Sequence, residues 1–150
     1  MTTSLRIDHV CVAVKSIEKA SQRLCALLGY RPRTLTVTNT RQKVHVAFLC
    51  REGSLDIKLI EPAGDDSPLW FLLRAKRKGL HHLCFRTTDL AVDLPGLASR
   101  GLRLLGTPEP GEAFDDHPIA FGYAGFGLNL EFVDTDLRRG EIERPDAQDG

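Results

Sequence analysis

Two histidines, a glutamate and a lysine stand where an internal repeat would bring them together. His9 lies in Asp8-His9-Val10-Cys11 and His82 in His81-His82-Leu83-Cys84. Lys58 lies in Leu55-Asp56-Ile57-Lys58-Leu59-Ile60-Glu61 and Glu131 in Leu128-Asn129-Leu130-Glu131-Phe132-Val133-Asp134. Each stretch returns 73 positions later, from 9 to 82 and from 58 to 131, and Val46-Ala47-Phe48 returns as Ile119-Ala120-Phe121 at the same offset. An ungapped offset held three times marks a duplicated half. A pseudo-twofold then sets equivalent positions face to face, His9 with His82 and Lys58 with Glu131. Two imidazoles and a carboxylate are donors for a divalent metal. A protonated lysine has donors only and no lone pair, so Lys58 is the member that does not suit one.

The elements that must position these residues follow the same repeat. Residues 5–15 alternate as a strand, with Val10, Val12 and Val14 on one face and His9, Cys11 and Ala13 on the other. Ser16 is the expected N-cap of a helix whose apolar face is Ile17, Ala20, Leu24, Leu27 and Leu28, and Gly29 takes the C-cap. Strands are predicted over about 30–37, 43–51 and 55–61, giving βαβββ. A Pro- and Gly-rich linker leads to Ser67-Pro68, the start of a short linker helix over about 67–78, with basic residues at Arg74, Lys76, Arg77 and Lys78 suiting its C-terminus. The second half repeats the order. A strand is expected over 80–86, a helix over 90–100 bent or delayed by Pro95-Gly96, and strands over 102–105, 118–123 and 128–133. Residues 107–116 read as loop. The fold class is therefore α+β: module 1 over about 5–62 and module 2 over about 80–134 forming one eight-stranded open cup, a single domain over 1–134. Residues 135–150 are charged and almost without apolar residues, which predicts a mobile tail.

Side-chain alternation places Leu55, Ile57 and Leu59 under the first helix and Asp56, Lys58 and Ile60 inside the cup. The mates divide alike, with Asn129 and Glu131 inside. His9 and His82 join them from the first strand of each module. His45 also enters the cup if Val44, Val46 and Phe48 turn to the helix, and its pKa near neutrality suits a proton carrier. His117 lies at the mouth of the second module.

Composition excludes several classes. The 150 residues carry 20 Lys plus Arg against 20 Asp plus Glu, a net charge of zero, without the basic footprint of a nucleic-acid binder. No apolar run reaches the length of a membrane span, and no signal-peptide core precedes the first strand. A cytoplasmic protein is expected. The cysteines Cys11, Cys25, Cys50 and Cys84 form no CxxC pair, and buried free thiols are the expectation.

The arrangement resembles the vicinal oxygen chelate superfamily, also called the glyoxalase/bleomycin-resistance fold, over about residues 5–134. Within it the motifs are most similar to methylmalonyl-CoA epimerase. They are Ile7-Asp8-His9-Val10, Leu28-Gly29-Tyr30, Leu59-Ile60-Glu61-Pro62 leading to Asp66-Ser67-Pro68, Gly79-Leu80-His81-His82-Leu83-Cys84-Phe85, and Leu128-Asn129-Leu130-Glu131. The resemblance implies a divalent metal (Zn, Co, Mn, Ni or Fe) held by His9, His82, Glu131 and the residue at 58, where epimerases have Gln or Glu. Three readings of Lys58 follow. The metal stays on His9, His82 and Glu131 as a two-histidine, one-carboxylate triad, the arrangement of ring-cleaving Fe(II) dioxygenases in this superfamily. Or Lys58 takes the metal's place and stabilises an enolate. Or the cup is a metal-free small-molecule binding protein.

The expected activity is epimerase- or isomerase-like: abstraction of a proton next to a carbonyl of a small acid or acyl-thioester, with His45, Lys58 and Glu131 as catalytic groups. In place of the His-Pro and Gly-Gly loop usual in the epimerase, residues 123–127 read Tyr-Ala-Gly-Phe-Gly, so that Tyr123 and Phe126 are expected to wall the pocket. Arg86, Arg41 and Lys43 are candidates to attract an anion. The expected partners are a small-molecule substrate and a second copy in a homodimer.

Overall fold

The computed structural model describes residues 4–75 and 79–144. Lys76, Arg77 and Lys78 of the basic helix end lie outside the described residues, as do 145–150. The chain folds into β1 (Arg6–Ala13), α1 (Ile17–Leu28), β2 (Arg31–Pro32), β3 (Val37–Asn39), β4 (Val44–Cys50) and β5 (Asp56–Pro62). The linker helix α2 (Leu69–Arg74) leads to β6 (Gly79–Arg86), α3 (Leu90–Ser99), β7 (Arg103–Leu104), β8 (Glu109–Gly111), β9 (His117–Gly125) and β10 (Leu128–Val133). Ser16 caps α1 by accepting from the Lys19 amide, and Gly29 ends it at φ 71°, a conformation costly for residues with a Cβ.

All ten strands belong to one mixed, α+β arrangement in the order β2-β4-β5-β1-β6-β10-β9-β7, with β3 on β4 and β8 on β9. The expected eight strands become ten because the second strand of each module is broken. In module 1, Pro32 ends β2, and the amides of Arg33 and Thr34 both bond the Phe48 carbonyl before pairing resumes at Val37. In module 2, β8 and a 3-10 turn at Glu112–Phe114 occupy what read as loop. The helix α3 is not delayed by Pro95. It starts at Leu90 because Asp89 caps the Val92 amide and Asp134 accepts from the Leu90 amide.

The pseudo-twofold passes between β1 and β6, which run antiparallel with His9 opposite Cys84 and Cys11 opposite His82. Each outer neighbour is parallel: β5 sets Lys58 beside Cys11, and β10 sets Glu131 beside Cys84. Ile17, Ala47, Leu49 and Leu59 pack with α1, and Leu90, Leu94, Ala120 and Phe132 with α3, one small core per module. The largest core fills the cup itself with Val46, Phe48, Ile60, Phe114, Ile119 and Val133, closed above by Leu69 and Leu73 of α2. Among the described residues, no helix is long and apolar enough to cross a membrane.

Residues 135–144 do not hang free as a mobile tail. The Arg139 amide bonds Ala113, the Leu35 amide bonds the Gly140 carbonyl, and the Ile142 amide bonds the Arg33 carbonyl. Thr34 and Glu141 form an antiparallel bridge. The charges that suggested a solvated tail pair with opposite charges of the cup, Asp136 with Arg33 and Arg86 and Arg138 with Asp8, so residues 135–144 lie over the cup as a strap.

Candidate active site

His9, Lys58, His82 and Glu131 converge, all buried in the cup. Glu131 is the hub. Its Oε1 lies 3.1 Å from His9 Nε2 and 3.2 Å from His82 Nε2, and its Oε2 lies 3.6 Å from Lys58 Nζ. Burial opposes the Lys58 ammonium, but the Glu131 carboxylate, together with Cys11 and Cys84, outweighs it and holds its pKa above the ordinary lysine value. Burial likewise opposes the Glu131 carboxylate; Lys58 and then His82 overcome it and hold the acid well below its usual range. The pair is thus a buried ion pair. Burial drives the His82 imidazolium down to about 4, which leaves this ring neutral. The rings of Phe48 and Phe114 lie 6.0 and 5.2 Å from Lys58 Nζ and supply apolar, cation-compatible walls.

The outer ring nitrogens are held by the preceding residue of each repeat. His9 Nδ1 donates to Asp8 Oδ2 at 2.7 Å, and His82 Nδ1 shares a hydrogen bond with His81 Nδ1, also at 2.7 Å. Asp8 and His81 are themselves 73 positions apart. Asp8 stays ionised: burial works against it, but the His9 hydrogen bond, Arg138 and Arg86 lower its pKa below the carboxylate range. With Nδ1–H committed to Asp8, a neutral His9 turns its Nε2 lone pair to the hub.

Three donors are spaced for a metal: His9, His82 and Glu131 have ligand atoms all within 4.8 Å of one another. His9 Nε2 and Glu131 Oε2 have no hydrogen-bond partner. The fourth corner does not fit. There an ammonium faces the same carboxylate, and a second, divalent cation beside it in a dry core would meet strong repulsion. The four residues as a set therefore do not suit a four-ligand metal centre.

His45 does not enter the cup. Phe48 pairs with Lys58 and Val46 with Ile60 across β4 and β5, so Val44, Val46 and Phe48 take the inner face. His45 is turned outward, opposite Glu61, with its Nδ1 2.9 Å from Thr38 Oγ1. The apolar run of β4 carries no polar alternation to tell its two faces apart, and the large aromatic goes to the drier cup. His117 bonds the Phe114 carbonyl. Phe126 is 94 % exposed and walls nothing, while the Tyr123 hydroxyl accepts from the Gly127 amide within its own loop. Lys43 pairs with Asp66 at the surface.

Sequence reading missed Asp8, His81, Arg33 and Arg138 as parts of the site. For Asp8 and His81 a signal was present, because both precede a repeat-related histidine. Arg138 sat unseen in the charged tail. Its guanidinium lies 4.5 Å from the Phe48 ring centre and 5.1 Å from that of Phe114, with Nη2 2.6 Å from Asp8 Oδ2. It also lines a cavity of about 560 Å³, together with Asp8, Arg33, Asp56, Arg86 and Asp136 among others.

Two βαβββ modules joined at a pseudo-twofold, with a His, His, Glu and Lys hub where they meet, define a paired-module cup of the glyoxalase type. The chain belongs to the glyoxalase/bleomycin resistance protein/dioxygenase superfamily, whose pattern it matches over residues 8–121. It is 33 % identical over 101 residues to the mitochondrial methylmalonyl-CoA epimerase of Mus musculus, a match covering 67 % of this chain and 56 % of the mouse protein. The chain thus spans little more than half the length of that relative. Among solved structures it is similar to the methylmalonyl-CoA epimerase of Mycobacterium tuberculosis, at TM-score 0.76 and 28 % identity over 85 % of this chain and 86 % of that one. It is also similar to a methylmalonyl-CoA epimerase in complex with methylmalonyl-CoA and NH4+, at TM-score 0.77 and 26 % identity over 94 % and 99 %. These relatives support an epimerase-like enzyme of the superfamily.

Proposed function

We propose that the protein is an epimerase-type enzyme in which the Lys58 ammonium takes the place of a metal. It acts at the carbon next to the carbonyl of a small carboxylate or acyl-thioester and stabilises the enolate oxygen as charge develops there. The observation that carries this reading is the buried Lys58–Glu131 pair, 3.6 Å apart at repeat-related positions. A fixed positive group in a dry site stabilises an oxyanion far better than it would in water. One methylmalonyl-CoA epimerase structure holds an ammonium ion together with its substrate; Lys58 carries the same chemical group on a tether. A 1,1-proton transfer needs a group on each face of the reacting carbon. With His45 turned outward, His9 and His82 are the candidates, placed on either side of Glu131 and steadied by Asp8 and His81.

The test is deuterium wash-in at the α-carbon of methylmalonyl-CoA in D2O, with chelator-washed protein and with Lys58→Gln, each with and without added Co2+. Exchange by the native protein without metal, lost in Lys58→Gln, is the expected result. Exchange that appears in the native protein only with metal would restore the three-ligand reading, which His9 Nε2, without a hydrogen-bond partner, favours. No exchange under any condition would reject α-proton chemistry on this substrate and leave the binding-protein reading.

A further inference from the structure

We infer that the cavity beside the hub is a carboxylate-binding vestibule, and that Asp136 of the strap holds the place of a ligand's carboxylate. This deepens the reading above, since it names the anionic group that a substrate presents while its carbonyl faces Lys58.

Two arginines from different modules grip Asp136. Its Oδ2 lies 3.2 Å from Arg33 Nη2, and its Oδ1 lies 2.8 Å from Arg86 Nη2. One oxygen on each guanidinium is the pattern of a bridged carboxylate, and planar carboxylates are what arginine forks recognise. The Asp136 side chain is 50 % exposed, whereas that of Arg33 is 2 % exposed. The cradle is therefore built into the protein while its occupant sits at the surface, where ion pairs are weak and exchangeable.

Arg33 Nε and Arg138 Nε are buried without a hydrogen-bond partner, although both side chains line the cavity. Buried guanidinium donors are ordinarily satisfied. The charge balance agrees. Four arginines (Arg6, Arg33, Arg86, Arg138) and three aspartates (Asp8, Asp56, Asp136) line the cavity. When Asp136 swings out, four positive groups face the two negative ones that remain. Asp8 is engaged with Arg138 and Arg86, and Asp56 and Glu141 with Arg33, so the four arginines keep an excess of one positive charge, the one that Asp136 balances. Asp8 also binds His9, which puts an anion held here one side chain away from the hub.

Malonate titrated by calorimetry into the native protein and into Asp136→Asn tests the inference. The asparagine keeps the size of the side chain and removes the competing charge. Saturable malonate binding, at least tenfold tighter in Asp136→Asn and lost in Arg86→Gln, is expected. Malonate should also quicken amide exchange at residues 135–138 of the native protein. Equal affinity in the native protein and Asp136→Asn would overturn the role of Asp136. No saturable binding in either folded protein would overturn the site, and inorganic phosphate binding more tightly than malonate would overturn the carboxylate class. None of these readouts needs turnover, so failure of the wash-in assay with malonate binding intact would refute the activity and not the vestibule.

Discussion

Replacing Lys58 by Met separates the ion-pair account of the hub from every account in which position 58 is neutral. Methionine keeps the length and apolar stem of the side chain but leaves Glu131 without its cation in a fully buried place. At 3.6 Å and an effective dielectric of about 20, the lost attraction is about 5 kcal/mol. Removing one partner of a buried pair typically costs ~3–5 kcal/mol. Glu131 keeps its hydrogen bond with His82 at 3.2 Å, which places the expected loss at the lower end, about 3 kcal/mol. For a chain of this length, that lowers Tm by about 6–12 °C. Urea denaturation at pH 7, followed by circular dichroism, measures it. The double variant Lys58→Met/Glu131→Met should recover most of the loss, because removing both charges leaves nothing uncompensated. A loss below about 1 kcal/mol in the single variant, or strictly additive losses in the double, would refute the ion pair.

Three further outcomes follow from the packing and the loops. Phe114→Ala removes a buried ring from the core that fills the cup, and a loss of about 3–5 kcal/mol is expected by denaturant titration. Gly111→Ala would bring a Cβ to 2.6 Å from Ile119 Cγ2 and 3.1 Å from the His117 carbonyl oxygen; this overpacking should cost about 1–3 kcal/mol, read the same way. Glu112 ties the turn after β3 to the 3-10 turn, accepting from the Thr40 amide and hydroxyl and from the Arg41 amide. Slight burial works against its charge, but these Thr40 and Arg41 contacts lower its pKa below the ordinary glutamate value of 4.5. Its stabilisation is therefore present above the unfolded value and lost as pH falls through the lower folded value. The melting temperature of Glu112→Gln should accordingly change less with pH below 4.5 than that of the native protein.

Much of the site was legible because a repeat converts sequence offset into spatial symmetry. His9 with His82 and Lys58 with Glu131 needed only the constant offset and the period-two alternation of β5 and β10, whose polar residues mark the inner face. The helix ends were equally local: Ser16 and Gly29 act through their own neighbouring backbone. His45 failed for a physical reason. Its strand is apolar on both faces, so alternation exists but carries no sign, and only pairing of β4 with β5 sets Phe48 beside Lys58.

The chain by itself therefore determined the two modules, the position of their symmetry axis and the four residues gathered on it, since these depend on periodicity and local capping. Tertiary structure alone decided the rest. Whether Lys58 carries its charge depends on the 3.6 Å to a carboxylate 73 residues away. Whether the charged tail is solvated or structural depends on Asp8, 130 residues before Arg138, being ionised and within reach. The vestibule exists only because Arg33, Arg86 and Asp136 meet there. Charge patterns along a chain do not specify such pairings, because the energy of a charge is set by whatever folding brings beside it and by how much water remains.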